Sequence, residues 1–216
     1  MKEGVPHIIC LFGPQGSGKG TQAERLSAWL GIPHISPGNI FRKAMADETD
    51  LGKQVADIIN SGHLVPDEVT NTLMRERIEQ EDCLMGFVFD GYPRNTAQND
   101  ALHAMTQLTH ALVIDIPEEE SLHRIGERRV CSQCGMTYHL TFKPSKVTGV
   151  CDVCGSALTH RDDDKPDAIR KRLDIYHTST EPLITSFEQR GIVHRINGMG
   201  SIDDVWKRVQ EAIQKE

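Results

Sequence analysis

The 216-residue chain has no stretch of the roughly 18 consecutive apolar residues that a membrane-spanning helix requires. Its opening, MKEGVPHIIC, carries charge and a proline where a secretory leader needs an apolar run, so the cytoplasm is the expected compartment, with no membrane partner. Basic residues are outnumbered: 24 Lys and Arg against 31 Asp and Glu leave a formal charge of −7, which argues against a broad nucleic-acid surface and confines any phosphate binding to a local site. Aromatics are few at 5%, but 38% hydrophobic and 25% charged residues describe an ordinary globular chain and exclude a disordered one. Neither an internal repeat nor a low-complexity tract is present. At this length one main domain, with room for a small appended module, is expected.

Short apolar runs alternate with helical patterns, the signature of a parallel sheet covered by helices. Five runs read as strands: HIICLF (7–12), PHIS (33–36), GFVFD (86–90), HALVIDI (110–116) and GIVHRIN (191–197). Helical patterns lie between them, including TQAERLSAWL, PDEVTNTLMRERIEQ and PEEESLHRIGERRV, the last with acids near its start and bases near its end, as the helix dipole prefers. In the final segment Ile202, Val205, Trp206, Val209 and Ile213 recur at helical spacing and predict one core-facing side. Two stretches break the rhythm. Residues 38–66 hold two helical patterns with no strand between them, and 131–160 hold Thr, Tyr, Phe and Val among Gly, Ser and Pro, like a small inserted module.

After the first run comes GPQGSGKGTQ, Gly13 to Gln22. Glycines 13, 16, 18 and 20 let successive N–H groups point into one hollow, the following helix adds its positive end, and Lys19 can reach β- and γ-phosphate oxygens. The strand before and the helix after supply the context that a phosphate loop requires. The hydroxyl usual after the lysine is displaced: Gly20 takes its place and Thr21 follows.

Other residues carry chemistry only in combination. In FVFDGYPRNTAQ (87–98), Asp90 ends an apolar strand, where open α/β sheets bind ligands, and Arg94 offers a fork for phosphate. A carboxylate there can hold Mg²⁺ through its waters, although an Asp-Gly pair after a strand is also an ordinary turn. LHRIGERRV supplies Arg124 and Arg128, and THRDDDKPDAIRKRL supplies Arg161, Asp163, Asp164 and Arg172; taken alone, these read as a solvated helix start and a charged surface. Cys131 and Cys134 form one Cys-x-x-Cys pair and Cys151 and Cys154 a second, which predicts a closed, structural tetrathiolate zinc site; four free thiols are the alternative. His139 lies near this set without its spacing, and Cys10 and Cys83 read as buried apolar residues.

Across essentially its whole length the chain resembles the nucleoside monophosphate kinases, above all the adenylate kinases. GPQGSGKGT is similar to their Gly-x-x-Gly-x-Gly-Lys-Gly-Thr loop, and DGYPR to their Asp-Gly-Phe/Tyr-Pro-Arg motif. HISPGNIFR (34–42) resembles their Ile-Ser-Thr-Gly-Asp-Met/Leu-Leu-Arg, with Pro37 for the usual Thr and Asn39 for the usual Asp. The resemblance implies an α/β P-loop three-layer sandwich with a five-stranded parallel sheet. Its core would be 1–37, 67–129 and 165–216, its nucleoside-monophosphate-binding flap 38–66 and its zinc-binding lid 130–164. It further implies reversible transfer of the ATP γ-phosphoryl group to AMP, giving two ADP, by a monomer.

On this reading Gly16, Ser17, Gly18, Lys19, Gly20, Thr21, Arg124 and Arg128 bind ATP, and Asp90 serves Mg²⁺. Pro37, Arg42, Val65, Gly91, Arg94, Gln98, Arg161 and Arg172 bind AMP; Lys19, Arg94, Arg128, Arg161 and Arg172 act in catalysis. Gln98 stands where pyrimidine nucleotide kinases usually carry Asn, which favours adenine. Two rivals are another nucleoside monophosphate as acceptor, which Pro37 and Asn39 keep open, and a nucleic-acid-binding ribbon using Tyr138, Phe142, Lys143 and Lys146.

Overall fold

The computed structural model describes residues 6–214; residues 1–5 and 215–216, the outermost parts of the expected core segments and of the opening MKEGVPHIIC, lie outside them. The first apolar run is strand β1, His7–Phe12, and the glycine loop leads into helix α1, Lys19–Leu30. Strand β2 is only His34–Ile35, because Pro33 cannot donate to the ladder and Pro37 starts helix α2, Pro37–Ala46. Helix α3, Asp50–Asn60, follows with no strand between, capped by Thr49, whose hydroxyl accepts from the Gly52 N–H at 3.1 Å. Then come α4 (Asp67–Ile78), β3 (Gly86–Asp90), α5 (Thr96–Met105), β4 (His110–Asp115) and α6 (Glu118–Gly126).

The helical pattern over PEEESLHRIGERRV is cut short. Arg128–Cys131 is strand β5, paired antiparallel with β6 (Thr137–His139) and β7 (Leu158–Thr159). Two partners further along the chain override a local charge pattern that cannot register them. After a 3₁₀ turn at Asp162–Asp164, α7 (Pro166–Ile175) continues through a π-helical turn, Tyr176–Thr180, into α8 (Glu181–Gln189). Strand β8 (Val193–Asn197) and helix α9 (Ile202–Gln214) complete the described chain.

All five expected strands join one parallel sheet in the order β2-β3-β1-β4-β8. Its strands are apolar on both faces because helices cover both. On one face Cys10, Phe12, Phe87, Phe89 and Val113 pack with Leu183, Ile184 and Phe187; on the other Ile9, Leu11, Val88, Leu112 and Ile114 pack with Leu26, Val205 and Val209. In α9, Val205, Val209 and Ile213 are buried as expected, joined by Ala212, while Ile202 and Trp206 are half-buried. From β1 the chain moves out to β2, returns to β3 and then crosses to β4. The carboxyl ends of β1 and β3 lie side by side, with Leu11 opposite Asp90, and the crevice above them faces the glycine loop.

Helices α2 and α3 bury a core of their own around Phe41, Val55 and Val65. The small β6-β5-β7 sheet encloses only Cys131, Tyr138 and Cys151, with Met136 and Leu158 against them. That is too little apolar surface to hold such a module closed, so its stability falls to the cysteines. Among the described residues no helix is long and apolar enough to cross a membrane.

Candidate active site

One cleft runs along the carboxyl ends of the strands, walled by the glycine loop, Asp90, Arg42, Arg94, Arg128, Arg161 and Arg172. Gly18 caps α1 with φ of 88°, the left-handed region that favours glycine, and open space lies above it where a side chain would intrude. Gly16, Ser17, Gly18, Gly20 and Thr21 all line the cleft at the positive end of α1. At Gly20 a side chain would start 3.2 Å from Asp90 Oδ2, a tight contact with the end of that carboxylate. Lys19 donates to the Pro14 carbonyl at 3.1 Å. Burial pulls Lys19 down to about 7, and the neighbouring Arg94, Arg172 and Arg128 add to this while Asp90 opposes it.

Asp90 is held below the usual carboxylate range: burial works against this, and His34, Lys19 and Arg94 overcome it. Its Oδ2 lies 3.7 Å from His34 Nε2, and its buried Oδ1 has no hydrogen-bond partner among the described residues. A buried, ionised, half-satisfied carboxylate beside a phosphate cradle fits a hydrated divalent cation.

The arginines are held by neighbours that leave each guanidinium facing the cleft. Arg94 Nε donates to the Gly91 carbonyl at 2.7 Å, and burial together with Arg172 lowers its pKa to about 10. Arg128 closes on Asp164, and Arg172 donates to the Asp163 carbonyl at 2.8 Å and meets the Asp163 and Asp164 carboxylates at 3.1 and 3.2 Å. Arg161 donates to Thr137 Oγ1 at 3.3 Å, while its Nε finds no partner among the described residues. Within the RDDDKPD run Asp162, Lys165 and Asp167 are solvated, as expected of a helix start, but Asp163 and Asp164 are buried among arginines; of the basic run behind it Arg170 is exposed and Lys171 partly so, while Arg172 points inward. Cations outnumber carboxylates here, so the cleft is built for a multiply charged anion.

A second, smaller hollow opens off the first, lined by Pro37, Arg42, Val65, Gly91, Arg94, Gln98 and Arg172. Pro37 sits at the first position of α2, where its missing N–H costs the helix nothing. Arg42 donates to Asn39 Oδ1 at 2.8 Å and approaches Asp163 at 3.7 Å. The buried Gln98 carboxamide accepts from the Arg94 N–H at 2.8 Å and donates to Asp67 at 2.7 Å.

Arg124, bound to Glu120 at 2.6 Å, lies 5.2 Å from the centre of the Phe142 ring. Sequence reasoning missed the walls around it: Thr137 and His139 on the small sheet, Phe142 in the turn after it, and Gly198, Gly200, Ser201, Ile202 and Val205 before and within α9. It also missed Gln15, His34 and Tyr176. The glycines and serine after β8 follow the form of a turn that could have been flagged; the others have no local signal. Of the residues weighed for a nucleic-acid ribbon, Tyr138 is 4% exposed, and Tyr138, Phe142 and Lys143 all line the cleft.

The four cysteine sulfurs lie within 4.8 Å of one another, with Cys131 and Cys154 at 3.4 Å and Cys134 and Cys151 at 3.5 Å. A tetrahedral zinc with bonds of about 2.3 Å needs sulfurs roughly 3.8 Å apart, so the set fits that ion with little adjustment. A hydrogen bond from Tyr138 draws the Cys151 thiol down to about 6. His139 stays outside this set, 3.5 Å from Glu127 and with its ring tilted against that of Phe142. Cys10 and Cys83 are buried, as expected.

A sequence model of the family described as adenylate kinase matches residues 11–192. The chain is similar to the adenylate kinase of Streptomyces avermitilis, at 44% identity over 96% of this chain and 97% of that protein. Against the adenylate kinase of Fervidobacterium nodosum it is 46% identical over 92% of this chain and 94% of the other, and against that of Archaeoglobus fulgidus 42% over 96% and 98%. A family model over most of the chain and relatives matched nearly end to end at over 40% identity leave one conclusion: the chain belongs to the adenylate kinase family.

Proposed function

We propose that the chain transfers the γ-phosphoryl group of ATP to AMP, giving two ADP, and runs equally in reverse. The observation that carries this reading is the meeting of two anion sites in one cleft: the phosphate loop with Lys19 on one side, and the hollow with Arg42, Arg94 and Gln98 on the other. Backbone N–H groups of Gly16 to Thr21 and the Lys19 ammonium hold the ATP phosphates, and Arg124 lies on the adenine. Arg42 and Arg94 grip the acceptor phosphate, Pro37, Val65 and Gly91 shape its hollow, and Gln98 reads its base.

An acceptor phosphate is already an anion near neutral pH, so no general base is required, and the barrier lies in aligning two charged groups. Arg94, Arg128, Arg161 and Arg172 meet that need with planar, permanently charged forks. Asp90 would hold Mg²⁺ through its waters, and the ion would offset the negative charge of the phosphates. The tetrathiolate set, Cys131, Cys134, Cys151 and Cys154, would hold a structural zinc. We read 1–37, 67–129 and 165–216 as the core, 38–66 as the flap and 130–164 as the lid, the last two closing over the substrates to exclude water. The protein acts as a monomer in the cytoplasm, with ATP, AMP and ADP as its partners and neither nucleic acid nor membrane among them.

The test is transfer from Mg-ATP to AMP, GMP, CMP and UMP in parallel, with a control lacking acceptor. ADP formed chiefly with AMP is the expected result. Hydrolysis without transfer would overturn the acceptor site, and preference for another acceptor would move specificity to Pro37 and Asn39.

A further inference from the structure

Strand β6 is a partition between the cysteine cluster and the cleft. Side chains alternate along a strand, so Tyr138 points away from the side taken by Thr137 and His139. The Tyr138 side chain is buried with Cys131 and Cys151; its hydroxyl accepts from the Asp152 N–H at 2.7 Å and lies 3.5 Å from Cys151 Sγ. On the other side Thr137 accepts the hydrogen bond from Arg161, and the His139 ring packs 4.8 Å from that of Phe142. β6 is three residues long and is an edge strand, with β5 as its one strand neighbour among the described residues. A bridge from His139 to Lys143, with backbone hydrogen bonds of 3.0 and 3.1 Å, holds one end of it as well.

The phenol has a single proton. With the Asp152 N–H occupying the oxygen as a donor, that proton has Cys151 Sγ as its acceptor. A metal-bound thiolate has no proton to give, so with zinc in place the phenol is the donor to Cys151 Sγ.

We propose that Tyr138 is a positioning residue that ties the state of the four-cysteine cluster to the nucleotide cleft. Its hydroxyl steadies the Cys151 thiolate on one side of β6, and its anchored ring fixes where Thr137, and through it Arg161, stand on the other. The proposal rests on the reading of the cluster as a zinc site. Loss of the metal lets Cys151 move away from the other three sulfurs, so the phenol loses a fixed partner and the cleft wall at Thr137 and Arg161 loosens.

The test uses the full-length zinc-loaded protein beside Tyr138→Phe, which keeps the ring and removes the hydroxyl. Zinc is expected to pass to a colorimetric chelator about 10-fold faster from the variant. In cobalt-loaded protein the sulfur-to-metal absorption band is expected to shift, because one thiolate loses a hydrogen bond. In the unsubstituted protein, backbone hydrogen exchange at residues 137–139 should accelerate when chelator strips the zinc. Equal release rates with an unmoved cobalt band would overturn the proposal, and so would exchange at 137–139 that ignores the metal. The exchange measurement needs no variant and decides the matter if Tyr138→Phe does not fold. An unsubstituted chain that takes up neither zinc nor cobalt would instead sink the reading of the cluster, a separate and recognisable failure.

Discussion

The Arg128 guanidinium closes on the Asp164 carboxylate with two hydrogen bonds, Nε donating at 2.8 Å, and the carboxylate is 1% exposed. Arg172 shares the same acid at 3.2 Å, so one buried carboxylate supports two arginines of the cleft. Removing one partner of a buried ion pair leaves uncompensated charge and costs about 3–5 kcal/mol. Asp164→Ala should accordingly lower Tm by roughly 10 °C for a chain of this size. Because ATP phosphates offer the stranded arginines new partners, saturating ATP should raise the variant's Tm more than that of the unsubstituted protein. A melting curve that does not move would mean the arginines hold their places without Asp164.

Burial lowers Lys19 from 10.5 to about 7, so the unfolded chain holds a proton between those values that the folded chain has given up. Stability therefore rises with pH through this window, and the penalty from Lys19 is present in full below it. ATP phosphates restore the charge, so binding near pH 8 should take up close to one proton, and binding near pH 6 almost none. Calorimetry in buffers of different ionisation enthalpy reads this directly. Lys19→Arg, which stays protonated, should abolish the uptake, and a persisting uptake would assign it to another group.

Arg94 donates to Gly91 through Nε and presents the rest of its fork to the cleft, beside Lys19 and Arg172. Arginines that stabilise phosphoryl transfer contribute about 10³-fold or more to turnover, so Arg94→Ala should lower kcat on that scale. Arg94→Lys should recover little, since a point charge cannot make the planar contact. A lysine variant near full activity would show that charge alone is needed.

Asn39 holds Arg42 with a neutral carboxamide, which leaves the guanidinium charge for the acceptor. Asn39→Asp would neutralise part of it. KM for AMP should rise about 2- to 10-fold, the equivalent of roughly 0.5–1.5 kcal/mol, while KM for ATP holds. Equal KM values for AMP before and after the substitution would remove Asn39 from the acceptor site.

What the sequence made legible is what depends on neighbours in the chain. The glycine loop, the five strands and the cysteine pairs each announce themselves within a few residues, since turn geometry, burial on both faces and knuckle spacing are local constraints. The start of β5 at Arg128 was misread as helix because its pairing with His139 and Thr159 lies outside any local window. Asp163 and Asp164 looked solvated for the same reason: their arginine partners Arg42, Arg128 and Arg172 come from separate elements. The anchoring of Gln98 by Asp67, across from α5 to α4, leaves no trace in either helix pattern.

The other contact of the Gln98 carboxamide makes a ruler. Gln98 accepts from the backbone N–H of Arg94, so the proposed reader of the base and the proposed holder of the phosphate are joined by a single 2.8 Å hydrogen bond and cannot drift apart. A ligand recognised at both ends must carry its base and phosphate at one fixed separation. A free nucleoside offers the base without the phosphate, pyrophosphate offers the reverse, and a 3′-phosphate sets the two at the wrong span. On the proposed reading, the hollow would select by length as well as by chemistry.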